Sequence, residues 1–514
     1  MNAFNAHWPD VRIEDVYLVT GDGLATLRSW ERFRKARWYK RATGTLRHLP
    51  AIHALGEAYK DYCFRYGREP KWTKRLAKNM QGSLRHLWLT GEWFDPLWII
   101  QYRRGLGFSF AVECDGFIHD VAEALNVFRL GEIRQLGFLH DPVVNDNTAD
   151  IGLAENFHHT RLLHSSTVMA TAALIAHQIR LPKSLTRHLL VAALTHDILT
   201  PAGGDSVKPI DPDGLDEDKH YPEAFRNNPR WEVVRKRYGL DETLLAKTVA
   251  GQGLLGQLLD VADKTTYVDH DVDAYLKWNN PRKFRQLVPP AGFVEIWQLW
   301  KKLGQKACRL WDSLELIEGR LVITNPSRLA GFLRLRALMF RHLYFNPRAR
   351  YREQMLALLV IEPLYHEGRL TRGMLLQMTD YDLMRWIDRE TNCDIKEHLS
   401  RSDRAPVIES FATEEAALAR LRTLHAIEPT LLFMLETFPQ PSKKAVRMLV
   451  RNARGDVLPF DEAYPEEAES ILAIGRDPEP VKLYILNKWK AGRILPRDLW
   501  EKLYARQRVR FNLE

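Results

Sequence analysis

Residues 162–179, LLHSSTVMATAALIAHQI, and 185–197, LTRHLLVAALTHD, decide the fold. In the first stretch apolar and small side chains run almost without a break. Ala170, Ala172, Ala173 and Ala176 leave room for a second helix to approach closely. In the second, Leu189, Leu190, Ala193 and Leu194 recur at the spacing of one helix face. Pro182 stands between the two and marks a break, so two helices are expected. Leu254 to Ala262 gives a third apolar helix, with Asp263 where it turns polar. This periodicity holds over most of the chain, and no strand–helix–strand alternation appears. The expected fold class is mainly α, a helical-bundle core with helical accessory regions at both ends. Short strands are expected only near Val11 to Val19 and Phe108 to Val112.

Between the second and third helices lie Pro201-Ala202-Gly203-Gly204-Asp205 and Pro209-Ile210-Asp211-Pro212-Asp213-Gly214. So much Gly, Pro and Asp reads as a long loop, and long loops beside rigid helices often carry function. Boundaries are expected near Asp115 and near Ser400, where Ser400-Arg401-Ser402-Asp403-Arg404-Ala405-Pro406 reads as a linker. This gives an N-terminal accessory region 1–115, a central domain 116–400 and a C-terminal region 401–514. Of 514 residues 45% are hydrophobic and 27% charged, the balance of a soluble globular protein. No window approaches ~18 uninterrupted apolar residues, so no membrane span is expected. Met1 to Thr20 lacks the apolar run of a signal peptide. Cys63, Cys114, Cys308 and Cys393 are far apart and match no metal-knuckle spacing. They read as free thiols in a reducing cytoplasm.

The charge is unevenly placed. Residues 1–110 hold 19 Lys/Arg against 10 Asp/Glu, which accounts for the whole net charge of +9. Within them, Arg32-Phe33-Arg34-Lys35-Ala36-Arg37-Trp38-Tyr39-Lys40-Arg41 interleaves cations with aromatics, as a single-stranded nucleic acid or nucleotide contact would need. A solvated helix face with its aromatics in the core gives the same pattern. Trp72, Trp88, Trp93 and Trp98 point to packed accessory structure rather than a tail.

His164 falls on the first helix, His196-Asp197 ends the second and Asp263 belongs to the third. Helices can group such residues without sequence proximity. Two neutral imidazoles and two carboxylates can hold a divalent metal while leaving coordination positions open for chemistry. A lone His on an apolar helix is more often a satisfied core residue, so the weight rests on the combination. That combination resembles the metal-ligand pattern of HD-superfamily phosphohydrolases, in particular the deoxynucleoside triphosphate triphosphohydrolase branch. Arg129-Leu130-Gly131-Glu132-Ile133-Arg134-Gln135-Leu136-Gly137, Thr160-Arg161-Leu162-Leu163-His164-Ser165 and Ala262-Asp263-Lys264-Thr265-Thr266-Tyr267 with Asp271 each resemble a segment of that branch. Arg336 and Tyr344 keep its spacing of eight, and Thr379-Asp380 with Leu383 and Trp386 resembles a later helix. The resemblance covers roughly Gly116 to Asp388.

The resemblance implies an HD-domain core, His164, His196, Asp197 and Asp263 as ligands of one divalent ion (Mn, Mg, Fe or Zn), and Arg161, Lys264, Tyr267 and Arg336 as phosphate contacts. It implies Gln135 and Asp271 as partners of the deoxyribose 3′-hydroxyl, Leu136 as the apolar residue against the sugar, and Tyr344 as the aromatic beside sugar and base. Leu136 and Tyr344 read equally well as ordinary core. Arg161 has independent support, because it sits one helical turn before a ligand histidine. The pattern departs where the family carries a histidine three positions after the HD aspartate: here that residue is Thr200, and a second family histidine is Asp205. His220 aligns loosely with a third, so His220 and Asp205 stand, with Arg161, as candidate catalytic residues.

The expected function is metal-dependent hydrolysis of deoxynucleoside triphosphates to deoxynucleoside and triphosphate. Two other readings remain: another HD phosphohydrolase acting on nucleotides or oligonucleotides, and a nucleotide-sensing module that has lost its chemistry. Relatives of this branch assemble into nucleotide-controlled oligomers and serve in deoxynucleotide control and phage defence. A homo-oligomer, a nucleotide activator and a cytoplasmic location are therefore expected.

Overall fold

The computed structural model describes strands at 16–20, 23–26, 99–101 and 110–114, then residues 116–137, 160–278, 292–303, 310–391, 407–486 except 442 and 444, and 497–513. The basic stretch 32–41, the four tryptophans singled out above, Cys63, Cys308, Cys393 and the expected linker at Ser400 lie outside them.

The two decisive stretches fold as α2 (Arg161–Gln178) and α3 (Lys183–Thr195), preceded by α1 (Gly116–Ala124). Thr160 caps α2 by accepting from the Leu163 amide at 3.3 Å. From Arg161 to Ala176 every residue of α2 except Leu163 is buried, so this helix is enclosed on all sides. Arg180 takes the left-handed conformation before Pro182, where α3 begins. After α4 (Pro229–Tyr238) and α5 (Glu242–Val249) comes α6 (Gly253–Trp278), which runs 26 residues where the apolar pattern marked only its first turns. Helices α2, α3, α5 and α6 pack on one another. Thr171 and Thr266 hydroxyls meet at 3.2 Å across the α2–α6 contact. Helices α7 (Phe293–Leu303) and α8 (Pro326–Met339) complete this main core.

Between α3 and α4 no regular element exceeds five residues: three short 3-10 turns and the helix Glu217–His220 occupy the expected loop. This segment is nonetheless anchored. Ala202, Val207, Ile210 and Leu215 belong to a second core shared with residues 351–387, which include α9 (Pro347–Gln354) and α10 (Asp380–Thr391).

Among the described residues strands are few and short. In the N-terminal part β1 (Val16–Thr20) pairs antiparallel with β2 (Gly23–Thr26) and parallel with β4 (Phe110–Cys114), which also pairs with β3 (Ile99–Gln101). Both short strands read from the sequence are present as β1 and β4. A hairpin, β5 (Leu314–Ile317) and β6 (Arg320–Ile323), turns through Glu318 and Gly319, both at positive φ.

The C-terminal region adds a sheet to the helices expected there. Strands β7 (Val407–Phe411), β8 (Leu432–Thr437) and β11 (Val481–Leu486) form an antiparallel sheet in the order β7-β11-β8, flanked by α11 (Glu414–Ile427) and α13 (Arg497–Phe511). Its side chains alternate faithfully. Leu432, Met434, Tyr484 and Leu486 enter the second core, while Phe433 and Leu483 join Leu421, Phe511 and Leu513 on the other face. Strands β9 (Leu449–Arg451) and β10 (Val457–Pro459) extend the β5–β6 hairpin, and α12 (Pro465–Gly475) returns to α8. The main core thus includes residues from both sides of position 400.

Candidate metal centre

Three helices deliver the centre. His164 lies in the first turn of α2, His196 follows the last turn of α3, and Asp263 lies within α6. The His164 Nε2 is 2.9 Å from Asp263 Oδ1, and the His196 Nε2 is 3.9 Å from the same oxygen. One ligand atom from each of these three residues falls within 4.8 Å of the other two. Asp197 Oδ2 stands beside them, 3.9 Å from His164 Nε2 and 3.6 Å from His196 Nε2. The two imidazoles meet edge to face, with centroids 5.4 Å apart.

The mixed imidazole and carboxylate donor set fits a first-row transition-metal ion better than Mg or Ca, which take oxygen ligands. The His196 Nδ1 lies 2.9 Å from the Ala193 carbonyl, which fixes that nitrogen as the N–H and turns the lone pair of Nε2 toward the carboxylates. His164 is 1% exposed, and its Nδ1 has no hydrogen-bond partner among the described residues. Burial works to lower the His196 imidazole, but Asp197 and Asp263 outweigh it and hold it above its ordinary value. For Asp197 and Asp263 burial works upward. Arg161 chiefly overcomes it at Asp197 and the His164 hydrogen bond at Asp263, and both carboxyls end below the usual range.

Arg161 sits one turn before His164 and is buried. Its Nη1 donates to both Asp197 oxygens at 3.1 and 3.0 Å, and its Nη2 donates to Asp205 Oδ2 at 2.6 Å. Asp205 Oδ1 in turn lies 2.7 Å from Lys208 Nζ, which also donates to Glu217 Oε1 at 2.6 Å. Glu217 is buried, its Oε2 has no partner among the described residues, and burial pushes its carboxyl up to about 7. Burial raises the carboxyl of neighbouring Asp218, which also feels the charges of His196 and Asp197. Nothing in the sequence singles out Lys208, Glu217 or Asp218: the last two stand in the charged run Asp216-Glu217-Asp218-Lys219-His220, and Lys208 lies outside it.

His220 stands at the end of the helix Glu217–His220. Its Nδ1 lies 2.8 Å from Glu223 Oε1 and its Nε2 lies 2.9 Å from the Asp213 carbonyl, so both ring nitrogens serve the loop. Thr200 is fully buried, its hydroxyl lacks a partner among the described residues, and its carbonyl accepts from Arg129 at 2.6 Å.

A second group continues from the centre along α6, where Asp263, Tyr267 and Asp271 follow at i, i+4 and i+8. Arg336 Nε donates to the Tyr267 hydroxyl at 2.6 Å, and the Tyr344 hydroxyl donates to Asp271. Tyr344 ends a π-helical turn, Phe340–Tyr344, that follows α8. Such turns recur at functional sites. Burial raises the Tyr267 hydroxyl to about 12. Lys264 instead bonds Asp260 one turn back, at 2.6 Å. Gln135 is buried with Oε1 unpartnered among the described residues, and Leu136 packs at the edge of the main core.

The turn segment is fastened from a distance. Asp380 accepts from the Arg134 and Gly203 amides, each at 2.8 Å, and the Ala202 amide donates to the Leu375 carbonyl at 2.8 Å. Arg129 donates to the carbonyls of Ile198, Thr200 and Met378. Gly137 has φ +51, and a Cβ there would stand 2.4 Å from the Gly203 oxygen, so only glycine lets the two turns touch. A cavity of about 390 Å³ between Leu359, Phe433, Leu503 and Arg506 is lined by none of these site residues.

No protein-family model and no curated protein matches the sequence. Solved structures do match in fold. A hypothetical protein from Aquifex aeolicus has a TM-score of 0.51 at 16% identity, over 78% of this chain and 98% of its own. A phosphohydrolase from Bacteroides thetaiotaomicron has a TM-score of 0.50 at 14% identity, over 73% of this chain and 96% of its own. The chain therefore shares its fold with a phosphohydrolase. Among the described residues no helix is long and apolar enough to cross a membrane.

Proposed function

We propose that this chain is a metal-dependent phosphohydrolase whose substrates are deoxynucleoside triphosphates, cleaved to deoxynucleoside and triphosphate. The observation that carries the reading is the convergence of His164, His196 and Asp263 ligand atoms within 4.8 Å, with Asp197 alongside. The fold shared with the phosphohydrolase supports it. A divalent ion held by these residues supplies Lewis acidity toward a phosphoryl oxygen and makes water a better nucleophile. Arg161 fixes Asp197 among the ligands and brings a cation next to the centre. Tyr267 and Arg336 offer donors one turn further along, where the rest of a polyphosphate would lie. Gln135, a buried and unpartnered amide oxygen, and Asp271 are suited to hold a sugar hydroxyl. Dependence on a nucleotide activator, assembly into a homo-oligomer and a single-stranded nucleic acid contact at the basic N-terminal region belong to the same proposal.

The test is product analysis of the purified protein with each dNTP and NTP in the presence of Mn²⁺. Deoxynucleoside plus triphosphate, lost in Asp197→Ala, is the expected result. Orthophosphate or nucleoside monophosphate as the product would point to a different phosphohydrolase. A second reading, a nucleotide sensor without turnover, draws on Thr200, a buried threonine where the resembling family keeps a histidine. Binding of a dNTP without any product would favour it.

A further inference from the structure

We propose that Arg161 and Lys208 together form a two-cation cradle for a phosphoryl group, and that Asp205 is the internal anion that fills the cradle until such a group arrives. This deepens the phosphohydrolase reading and rests on it for the identity of the arriving group. The geometry is that of a bound oxyanion. One Asp205 oxygen lies 2.6 Å from Arg161 Nη2 and the other 2.7 Å from Lys208 Nζ. A phosphoryl group offers the same arrangement of two acceptor oxygens with greater charge.

The three side chains differ in exposure in the order the proposal requires. The Arg161 side chain is 5% exposed, Lys208 30% and Asp205 54%. The carboxylate is therefore at the solvent side and the cations are behind it. Both cations are also held by other anions, Arg161 by Asp197 and Lys208 by buried Glu217 at 2.6 Å. The cradle would keep its shape when Asp205 swings out to water. Asp205 lies on a short 3-10 turn after Gly203 and Gly204, both at positive φ, and among the described residues its side chain makes hydrogen bonds and ion pairs only to these two cations. A multiply charged phosphate end should displace a single carboxylate, whereas a neutral sugar or base should not. The arrangement would thus select for polyphosphates and keep the centre closed to weaker anions. It gives Asp205 a role opposed to catalysis, since its removal should help binding.

The experiment is calorimetric titration of the full chain with inorganic triphosphate, which requires no turnover. Asp205→Asn keeps the shape and removes the charge; it and Asp205→Ala should bind triphosphate about tenfold tighter than wild type, the scale of one charge-assisted hydrogen bond. Adding Lys208→Met to either should cancel the gain. Unchanged or weaker affinity in both single variants, with wild-type thermal midpoints, would overturn the proposal. Should both variants lose their fold, Lys208→Met alone decides: weaker triphosphate binding supports the cradle and unchanged binding refutes it. Tighter triphosphate binding by the Asp205 variants with no dNTP turnover in wild type would break the proposed substrate and keep the cradle. Turnover of dNTPs with unaltered triphosphate affinity in those variants would do the reverse.

Discussion

The two halves of the site are built in opposite ways. His164, Arg161 and Asp263 stand on helices α2 and α6, where backbone periodicity sets their spacing; His164 and Arg161 are buried, and Asp263 is held by His164. Asp205, Lys208, Glu217 and His220 stand on the segment between α3 and α4, whose turns are too short to hold a direction by themselves. That segment is held by groups far off in sequence: Asp380, Arg129, the Leu375 carbonyl, Glu353 on Ser206 and Tyr365 on Asp211. The helical half has the donors of a metal site, and the turn half supplies the charges that meet whatever approaches it. A substitution on the helices should therefore abolish function locally, and one on the anchors should act through position.

The largest effect expected is on the helical half. Asp197→Ala should reduce product formation by about 10³-fold. It should also lower stability by about 3 kcal/mol, because buried Arg161 loses its doubly bonded partner. Steady-state assays and urea unfolding measure both, and turnover within tenfold of wild type would remove Asp197 from the centre. Next comes the fastening of the turn half. Asp380→Ala leaves two buried amides unpaired and should cost about 2–4 kcal/mol in urea unfolding, with loss of activity following the loss of position. A change below about 1 kcal/mol would show that the segment is held by its apolar residues alone.

Asp380 also makes that fastening sensitive to pH. Burial pushes its carboxyl up to about 6 from 3.8, against the pull of the Gly203 and Arg134 amides. The folded chain therefore holds this proton to higher pH than the unfolded chain does. The resulting contribution is fully present below 3.8 and is lost as pH rises through about 6. Asp380→Asn cannot ionise, so its stability profile should be flatter over that interval; an unchanged slope would mean that the carboxyl is not the titrating group.

Smaller effects separate the two halves further. His220→Ala should leave turnover within about threefold, far below the loss expected for a proton-transferring residue. A loss above a hundredfold would return His220 to the chemistry. Smallest of all, Thr200→Val replaces an unpartnered buried hydroxyl and should shift stability by less than about 1 kcal/mol, in the stabilising direction. Thr200→His, which restores the residue of the resembling family, should instead cost about 1–3 kcal/mol by overpacking a fully buried position.

The same division explains what could be read in advance. Periodicity exposes α2, α3 and the start of α6, because helical spacing is a local property; the choice of His164, His196, Asp197 and Asp263 upon them comes from the resemblance to the HD metal-ligand pattern. Tyr267, Asp271, Arg336 and Tyr344 stand out only through the resemblance to the triphosphohydrolase branch, and the structure brings them together as two hydrogen-bonded pairs. Lys208 and Glu217 were not visible. Nothing near them in sequence states that Arg161 lies opposite, and His220 nearby draws the role through its loose alignment with a family histidine and the poise of an imidazole near neutral pH. The sheet of β7, β8 and β11 was equally hidden. Strands β8 and β11 are covered on both faces, and their apolar runs Leu432–Leu435 and Leu483–Leu486 look like those of buried helices.

The two bonds from Asp380 have a consequence for how the protein is made. All four metal-site residues have been synthesised by position 263, whereas the anchor of the Gly203 turn arrives 177 residues after that glycine. A chain growing from its N-terminus can pack α2, α3 and α6 as soon as they emerge, yet the segment carrying Asp205 must wait for α10. The nascent chain is thus a grouped set of ligands without its charged half. The charged half is fastened only once nearly three quarters of the length has been translated.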